Sequence, residues 1–352
     1  MEKPLTLEHA ETRTSGLPFR ISHARPRLWR TERRWTRLAD TAILILGAAR
    51  SGTTWLAKIF DSHPDVLYRH EPDEASPADP ALDPRAQMAA WIAQRSLRAA
   101  CKRPQFPKRW RPPAAEGARS AVAALLAGAQ RLLRTNHASA ILTLPDLVPG
   151  SRWSSVRAAV KLVNWDGSTV AQALPGTRSV FILRHPCGQV ASVMAGRAAR
   201  HFPQMGHADT GTGMAMAEAR AVRAGISPAA FAALPEAGQL AWAWVAFNEP
   251  ALHGLNDRAN AQVVRYEDLC REPERSAQSL FAFAGLSWHP QTAAFLAHST
   301  HEDRGAGYFD VFRSGAGVAE RWRQTMRPED QDAVRSVVGS TELARWWPDL
   351  TA

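Results

Sequence analysis

Cysteine is scarce in this chain: three in 352 residues, at 101, 187 and 270, odd in number and far apart. They supply neither a disulfide framework nor a CxxC metal pair, which points to a reducing compartment. Long apolar runs are missing too. The cleanest near the N-terminus, Ala42 to Leu46, falls far short of the roughly 20 residues that cross a bilayer. Met1 to Gly16 is polar and shows no apolar core of a secretory signal. No internal repeat is visible either. Collagen-like, coiled-coil, secreted mini-protein and transmembrane classes are thereby set aside. Lysine stands only at 3, 58, 102, 108 and 161, so most of the 43 basic residues are arginine. Against 33 acidic residues they leave a net charge of +10. That excess favours anionic partners: phosphate, sulfate, nucleic acid or acidic lipid. Arginine richness also follows from genome composition alone, and charge by itself assigns no function.

What is present reads as one large domain or two small ones, able to bury a full core. Residues 1–39 form a basic extension with seven arginines from Arg20 to Arg37, interleaved with Trp29 and Trp35 and interrupted by Pro26. Two readings stand: a contact surface for membrane or polyanion, or a solvated arm packing its tryptophans on the body. Apolar runs at Ala42–Leu46, Val66–Tyr68, Ala158–Val163, Ser179–Leu183 and Gln262–Val264 predict strands. Helices are predicted at Thr54–Asp61, Arg85 to about Ala100, Arg119–Arg134, Val190–Ala199, Ala237–His253, Pro273–Ala284 and Glu329–Val338. Strands alternating with helices argue for a parallel sheet covered on both sides, a three-layer α/β fold. Between the second and third helices lies a basic, proline-rich insert carrying Lys102, Arg103, Lys108, Arg109 and Arg111.

The most informative stretch is Gly47-Ala-Ala-Arg50-Ser51-Gly52-Thr53-Thr54-Trp55, which follows a buried strand and opens a helix. In that setting successive backbone N–H groups and the positive helix end converge on one small volume and attract an anion. The two glycines match the spacing of the Walker pattern GxxxxGK[ST], yet Thr53 occupies the lysine position. The cation has moved to Arg50, and no later strand offers an obvious magnesium aspartate. An anion other than a metal triphosphate is the expected ligand.

Arg50 to Trp55 resembles the 5′-phosphosulfate loop of sulfotransferases that use 3′-phosphoadenosine 5′-phosphosulfate (PAPS). Three further stretches follow in that family's order. Ser179 to Pro186, continuing to Ser192, is similar to the 3′-phosphate segment, where Arg184 would pair with phosphate and Ser192 reach the same group. Val263-Val264-Arg265-Tyr266-Glu267-Asp268-Leu269 resembles a recurrent family signature, whose acids are expected to cap or pair with arginines. Val311 to Ser314, with Glu320 to Arg323, resembles the C-terminal cofactor segment. There Arg313 would hold the 3′-phosphate and Trp322 pack on the adenine. The resemblance runs from about residue 40 to 340. It implies a P-loop nucleoside-triphosphatase-like fold: one sulfotransferase domain over 40–345, with a helical and basic insertion at about 75–150. It also implies PAPS as co-substrate, with no metal. Arg50, Ser51, Gly52, Thr53, Thr54, Trp55, Arg184, Ser192, Arg313 and Trp322 would bind it, and Arg50 would also stabilise charge during transfer.

His63-Pro64-Asp65-Val66-Leu67-Tyr68-Arg69-His70-Glu71-Pro72 resembles the corresponding segment of carbohydrate 6-O-sulfotransferases, where an aromatic residue precedes Glu-Pro. Glu71 falls just past the second strand, on the carboxyl edge where such sheets place ligands, and is expected to be the general base. The competing expectation is an ion pair with an arginine. His70 is expected to point away from Glu71 along an extended segment. His63 is expected to pack at the helix end, His185 to lie away from the sulfur, and Lys58 to be solvated. Arg69 and His70 replace apolar residues of the family pattern. A hydroxyl acceptor, glycan or glycolipid, would suit the basic insert, with sugar stacking or plain core packing open for Trp91, Trp110 and Trp153. The expected setting is cytoplasmic, with peripheral contact at the inner membrane surface through the basic extension. Alternatives are a P-loop kinase or nucleoside triphosphatase with a degraded motif, and a non-catalytic nucleotide or polyanion binder. Nucleic acid is not expected, since no helix-turn-helix or zinc pattern accompanies the charge.

Overall fold

The structure, a computed structural model, describes residues 29–94, 104–133, 146, 148, 150–162, 169, 173–199, 211–255, 257–301 and 315–351. Five strands form the sheet: β1 (Ile43–Leu46), β2 (Val66–His70), β3 (Arg157–Lys161), β4 (Arg178–Leu183) and β5 (Ala261–Arg265). All pairs are parallel and the order is β2-β3-β1-β4-β5. Each strand coincides with one of the five apolar runs. β1 is apolar throughout because it is the central strand and buries both faces.

Alternation along the strands divides the core into two. Leu44, Leu46, Val160, Phe181 and Leu183 face one layer, which includes α1 (Trp29–Asp40) through Trp35 and Leu38. Ile43, Ile45, Ala159, Val180 and Ile182 face the other, where α2 (Thr53–Asp61) contributes Leu56, Ile59 and Phe60. The first layer also takes α3 (Pro84–Ala93), α4 (Pro186–Ala198), α5 (Glu236–Leu255) and a late helix at Pro328–Gly339. The second takes helices at Tyr266–Arg271, Pro273–Ala284 and Pro290–His301. The fold is therefore the expected three-layer α/β sandwich of P-loop type. Neighbouring strands β1 and β4 send their following helices, α2 and α4, to opposite faces. That divergence opens a crevice at their carboxyl ends, the topological switch point where open α/β sheets hold ligands.

From Trp29 the basic extension is helix α1, which docks on the body with Trp35 buried, as the reading of an arm packed through its tryptophans expected for that residue. Arg37 donates to the carbonyls of Trp153 and Ser154, so this arginine is already used. Residues 1–28 lie outside the described ones. Helix α4 begins four residues earlier than expected, at Pro186. Proline suits the first helical position, and His185 Nδ1 caps it by accepting the Cys187 N–H at 3.2 Å.

His63 packs at the end of α2 as expected. Its Nδ1 accepts the Asp65 N–H at 3.2 Å and Nε2 meets the Ser287 carbonyl at 3.1 Å. Burial lowers its pKa from the ordinary 6.5 to about 4. The unfolded chain therefore takes up a proton below pH 6.5 that the folded chain refuses until about pH 4. Stability is expected to fall by on the order of 2 kcal/mol as pH drops through that window. Urea unfolding at pH 7.5 and pH 4.5 checks this, with a flatter slope expected for His63→Asn.

Candidate active site

The loop from Gly47 to Gly52 leaves β1 and enters α2 through three left-handed residues: Gly47 (φ +150°), Arg50 (φ +68°) and Gly52 (φ +99°). Both glycines are demanded by crowding. A Cβ at Gly47 would lie 2.7 Å from the Ile182 carbonyl oxygen, and one at Gly52 2.5 Å from the Tyr266 ring. Arg50 has no such exemption, and a non-glycine residue in this region costs about 1–2 kcal/mol. Two contacts hold it there. Its carbonyl accepts Arg184 Nη1–H at 2.9 Å, and its Nε–H donates to Ser192 Oγ at 3.2 Å. Gly52 stands at the N-cap position and has no side chain with which to cap α2. The N–H groups of Thr53, Thr54 and Trp55 open the helix there, without intrahelical acceptors.

Two residues of this stretch have side chains engaged by the protein itself. Ser51 is fully buried; its Oγ–H and N–H both go to the Ala48 carbonyl, at 2.7 and 3.2 Å. It staples the loop from inside. Trp55 donates its indole N–H to Ser299 Oγ at 3.3 Å and sets its ring edge-on to Tyr266.

The segment after β4 meets this loop directly. Arg184 is buried, its guanidinium 4.6 Å from the centre of the Tyr266 ring, and its Nε finds no hydrogen-bond partner among the described residues. The surface salt bridge, the bland reading of this arginine, is not what the fold makes of it. Arg50, Arg184 and Ser192 thus come together at the switch point, as the sequence pattern implied. Trp322 lies beside them but not as an open platform. It is 3% exposed, stacked on His185 at 4.5 Å, with the Arg323 guanidinium 4.5 Å from its ring. Arg313 lies outside the described residues. Glu267 and Asp268 are structural as expected. Glu267 accepts the His185 N–H at 3.0 Å, and Asp268 pairs with Arg265 and Arg271. Burial raises the Glu267 pKa, so desolvation outweighs that bond.

Across the sheet edge, Glu71 ends β2 and its N–H donates to the Lys161 carbonyl at 3.0 Å. Glu71 turns into the left-handed region (φ +48°), which breaks the alternation of an extended strand. As a result His70 does not point away. Its Nε2 stands 3.4 Å from Glu71 Oε2, while its Nδ1 meets Tyr68 OH at 2.7 Å. Glu71 also pairs with Lys161, whose ammonium hydrogen-bonds Oε1. Both are buried. Lys161 pairs in register with Ile45 on β1 and His70 on β2. It therefore stands between Glu71 and the phosphate loop, which are two strand spacings, about 10 Å, apart. Sequence reasoning missed Lys161. Its signal was an ammonium at the carboxyl end of an otherwise apolar run, level with Glu71.

The other lysines and the insert depart furthest from expectation. Lys58 is not solvated. It is 1% exposed and donates to Asp61 Oδ2 at 2.7 Å and to the Pro104 carbonyl at 3.1 Å. Lys108 joins it on Asp61 Oδ1 at 3.0 Å and also reaches the His63 carbonyl at 3.2 Å. Burial pushes the Asp61 carboxyl up, but Lys108 and Lys58 overcome it and hold the pKa at about 2. Arg109 pairs with Asp65 and Arg111 with Glu116. Among the described residues, then, the basic insert spends its charge on this body rather than offering it to an anionic acceptor. Arg69 likewise pairs with Asp146 and donates to the Ile92 carbonyl. Trp91 and Trp110 are core residues, 1% and 2% exposed, and Trp153 packs edge-on against Trp35. No group of three His, Cys, Asp or Glu among the described residues is placed to hold a metal. No helix among them is long and apolar enough to cross a membrane.

A parallel sheet, a glycine-bounded loop leading from its central strand into a helix, and two arginines that meet there make up a P-loop-like arrangement. The chain belongs to the sulfotransferase family, whose model matches residues 42–290. Human carbohydrate sulfotransferase 6 is 34% identical over 73 residues, 20% of this chain and 18% of that protein. Mouse carbohydrate sulfotransferase 5 is 35% identical over 86 residues, 22% and 21% of the respective chains. These matches thus span about a fifth of the curated relatives' length. Among solved structures, the sulfotransferase domain of the curacin biosynthetic pathway superposes with a TM-score of 0.42 at 14% identity, covering 84% of this chain and 97% of that one. Mouse sulfotransferase SULT7A1 complexed with PAP gives a TM-score of 0.42 at 13% identity, covering 87% and 88%.

Proposed function

We propose that this sulfotransferase takes the sulfuryl group from PAPS and delivers it to a carbohydrate hydroxyl, with Glu71 as general base. The observation that carries the reading is the meeting of Arg50 with Ser192 and Arg184, residues more than 130 positions apart in the chain. One phosphate at the start of α2 and a second beside Arg184 match a nucleotide phosphorylated at both 5′ and 3′ positions. Fit is supported by three features: the left-handed glycine loop between β1 and α2, a glycine N-cap that leaves the first N–H groups of α2 without a cap from that residue, and the buried Arg184 Nε without a hydrogen-bond partner among the described residues.

When bound, the donor supplies an activated sulfuryl group whose leaving partner is a 5′-phosphate. Arg50 and the N–H groups of Thr53, Thr54 and Trp55 are oriented to stabilise charge that grows on that phosphate. Glu71 takes the acceptor proton at its carboxylate, and the left-handed turn at this residue keeps the carboxylate on the Lys161 side of the sheet. Once Glu71 is protonated, the Lys161 ammonium loses its anionic partner. Its positive charge then remains between base and loop, where negative charge develops. The carbohydrate acceptor is supported by the carbohydrate sulfotransferase relatives and by the Glu-Pro that follows β2.

Calorimetric titration with 3′-phosphoadenosine 5′-phosphate, beside ATP plus Mg²⁺, tests the donor. Micromolar, chelator-insensitive binding of the former, lost in Arg184→Ala, is expected; preference for Mg-ATP would overturn the reading. A screen of glycans with radiolabelled donor then identifies the acceptor.

A further inference from the structure

Resting on this donor reading, we infer that His185 and Asp349 are positioning residues for Arg184. Through them the C-terminal stretch 322–350, beyond the family match, becomes part of the 3′-phosphate site. Neither residue would touch the nucleotide.

The inference starts from the tautomer of His185. Its Nδ1 accepts the Cys187 backbone N–H, a group that can only donate, so the neutral ring carries its proton on Nε2. That nitrogen faces Asp349 Oδ1 at 3.5 Å, an electrostatic contact longer than a formed hydrogen bond. Asp349 is fixed in turn by Arg323 Nη2 at 3.1 Å. His185 first, and Arg323 after it, hold the Asp349 carboxyl well below the usual carboxylate range. The imidazole is sandwiched by aromatics from the same stretch: Trp322 stacks on it with planes 13° apart, and Trp347 meets it edge-on at 5.2 Å. The ring is 2% exposed, whereas the Asp349 side chain is partly open to solvent.

The peptide that joins His185 to Arg184 is pinned from other sides. The His185 N–H donates to Glu267 and the Arg184 carbonyl accepts Trp244 Nε1–H at 3.1 Å. The guanidinium itself donates to the Arg50 carbonyl and lies over the Tyr266 ring, which leaves its Nε side to be set. Gly188 shows how closely it is walled: a Cβ there would lie 3.2 Å from both Arg184 Nε and Trp322 Cδ1. Trp322 keeps its place through its stack on His185, and His185 through Asp349. An arginine whose position is set in advance loses little freedom on meeting phosphate, which is where affinity is gained.

The test separates a 3′-phosphate effect from general damage. Binding of 3′-phosphoadenosine 5′-phosphate and of adenosine 5′-monophosphate, which lacks the 3′ group, is measured by calorimetry. The proteins are wild type, Asp349→Asn, Asp349→Ala and His185→Phe. In wild type the bisphosphate is expected to bind at least 30-fold more tightly than the monophosphate. In the variants that ratio is expected to shrink at least tenfold, with monophosphate affinity held within about twofold. An unchanged ratio, or equal losses for both ligands, would overturn the positioning role. No preference in wild type would remove the donor reading itself, and this inference with it. Asp349→Asn is isosteric on a side chain 31% exposed, so it keeps the test decisive where His185→Phe does not fold.

Discussion

Glu71→Gln is expected to lower turnover by about 100-fold or more, the range for loss of a positioned general base. Affinity for 3′-phosphoadenosine 5′-phosphate should stay within about twofold. Glutamine keeps the length and shape of the side chain and tolerates the left-handed turn as glutamate does, so the backbone that leads into Pro72 is preserved. What is lost is a carboxylate able to take a proton, together with the anionic partner of Lys161. The binding elements lie two strands away at the loop and three at Arg184, and do not depend on Glu71. The measurement is sulfate transfer from radiolabelled donor to the acceptor returned by the glycan screen, with calorimetry beside it. A glutamine variant that retained more than about a third of wild-type turnover would remove Glu71 as base, as would equal losses in binding and rate. Lys161→Met is the companion variant. It leaves Glu71 as a buried carboxylate without its ammonium, and both stability and rate should fall.

Gly52→Ala should damage binding more than any other single methyl group added to this protein. At φ +99° an alanine is strained, at a cost of about 1–2 kcal/mol. The new methyl would also enter the space of the Tyr266 ring, 2.5 Å from its Cδ2. Tyr266 is the surface against which the Arg184 guanidinium lies, and it packs edge-on to Trp55. One substitution therefore shifts the helix start, the aromatic floor and the second arginine together. Affinity for 3′-phosphoadenosine 5′-phosphate is expected to drop by about 100-fold or more, which corresponds to about 2.7 kcal/mol. The melting temperature should fall by several degrees. Gly225→Ala is the control, since Gly225 is also left-handed (φ +89°) but faces open space. It should cost stability alone. Binding that survived Gly52→Ala would show that the loop does not cradle the ligand.

Much of the architecture was legible before any coordinates because it follows from short-range rules. A run such as Ala42 to Leu46, apolar at every position, has to be buried on both faces, and only a central strand does that. Gly47 and Gly52, bracketing Arg50 between that strand and a helix, announce a turn that needs left-handed backbone and an N-terminus open to an anion. Arg184 at the end of a strand, with Ser192 in the helix that follows, was readable from order alone. The start of the helix at Pro186 has a weak sequence signal because its cap is a histidine, less common in that role than serine or aspartate.

Other features had no local signature. Lys58 looks like any solvated helical lysine until Asp61 and the Pro104 carbonyl close over it from the insert. His70 should alternate away from Glu71, and it fails to because one residue turns left-handed. Trp322 reads as a free platform in sequence, yet His185 stacks against it. Strand periodicity, turn chemistry and the phosphate loop are settled by neighbours in the chain, so residue order alone specifies them. The partner of a buried charge or a stacked ring is settled by segments tens to hundreds of residues away. Lys161 beside Glu71 and Asp349 beside His185 are contacts that exist only once the sheet has brought those segments together.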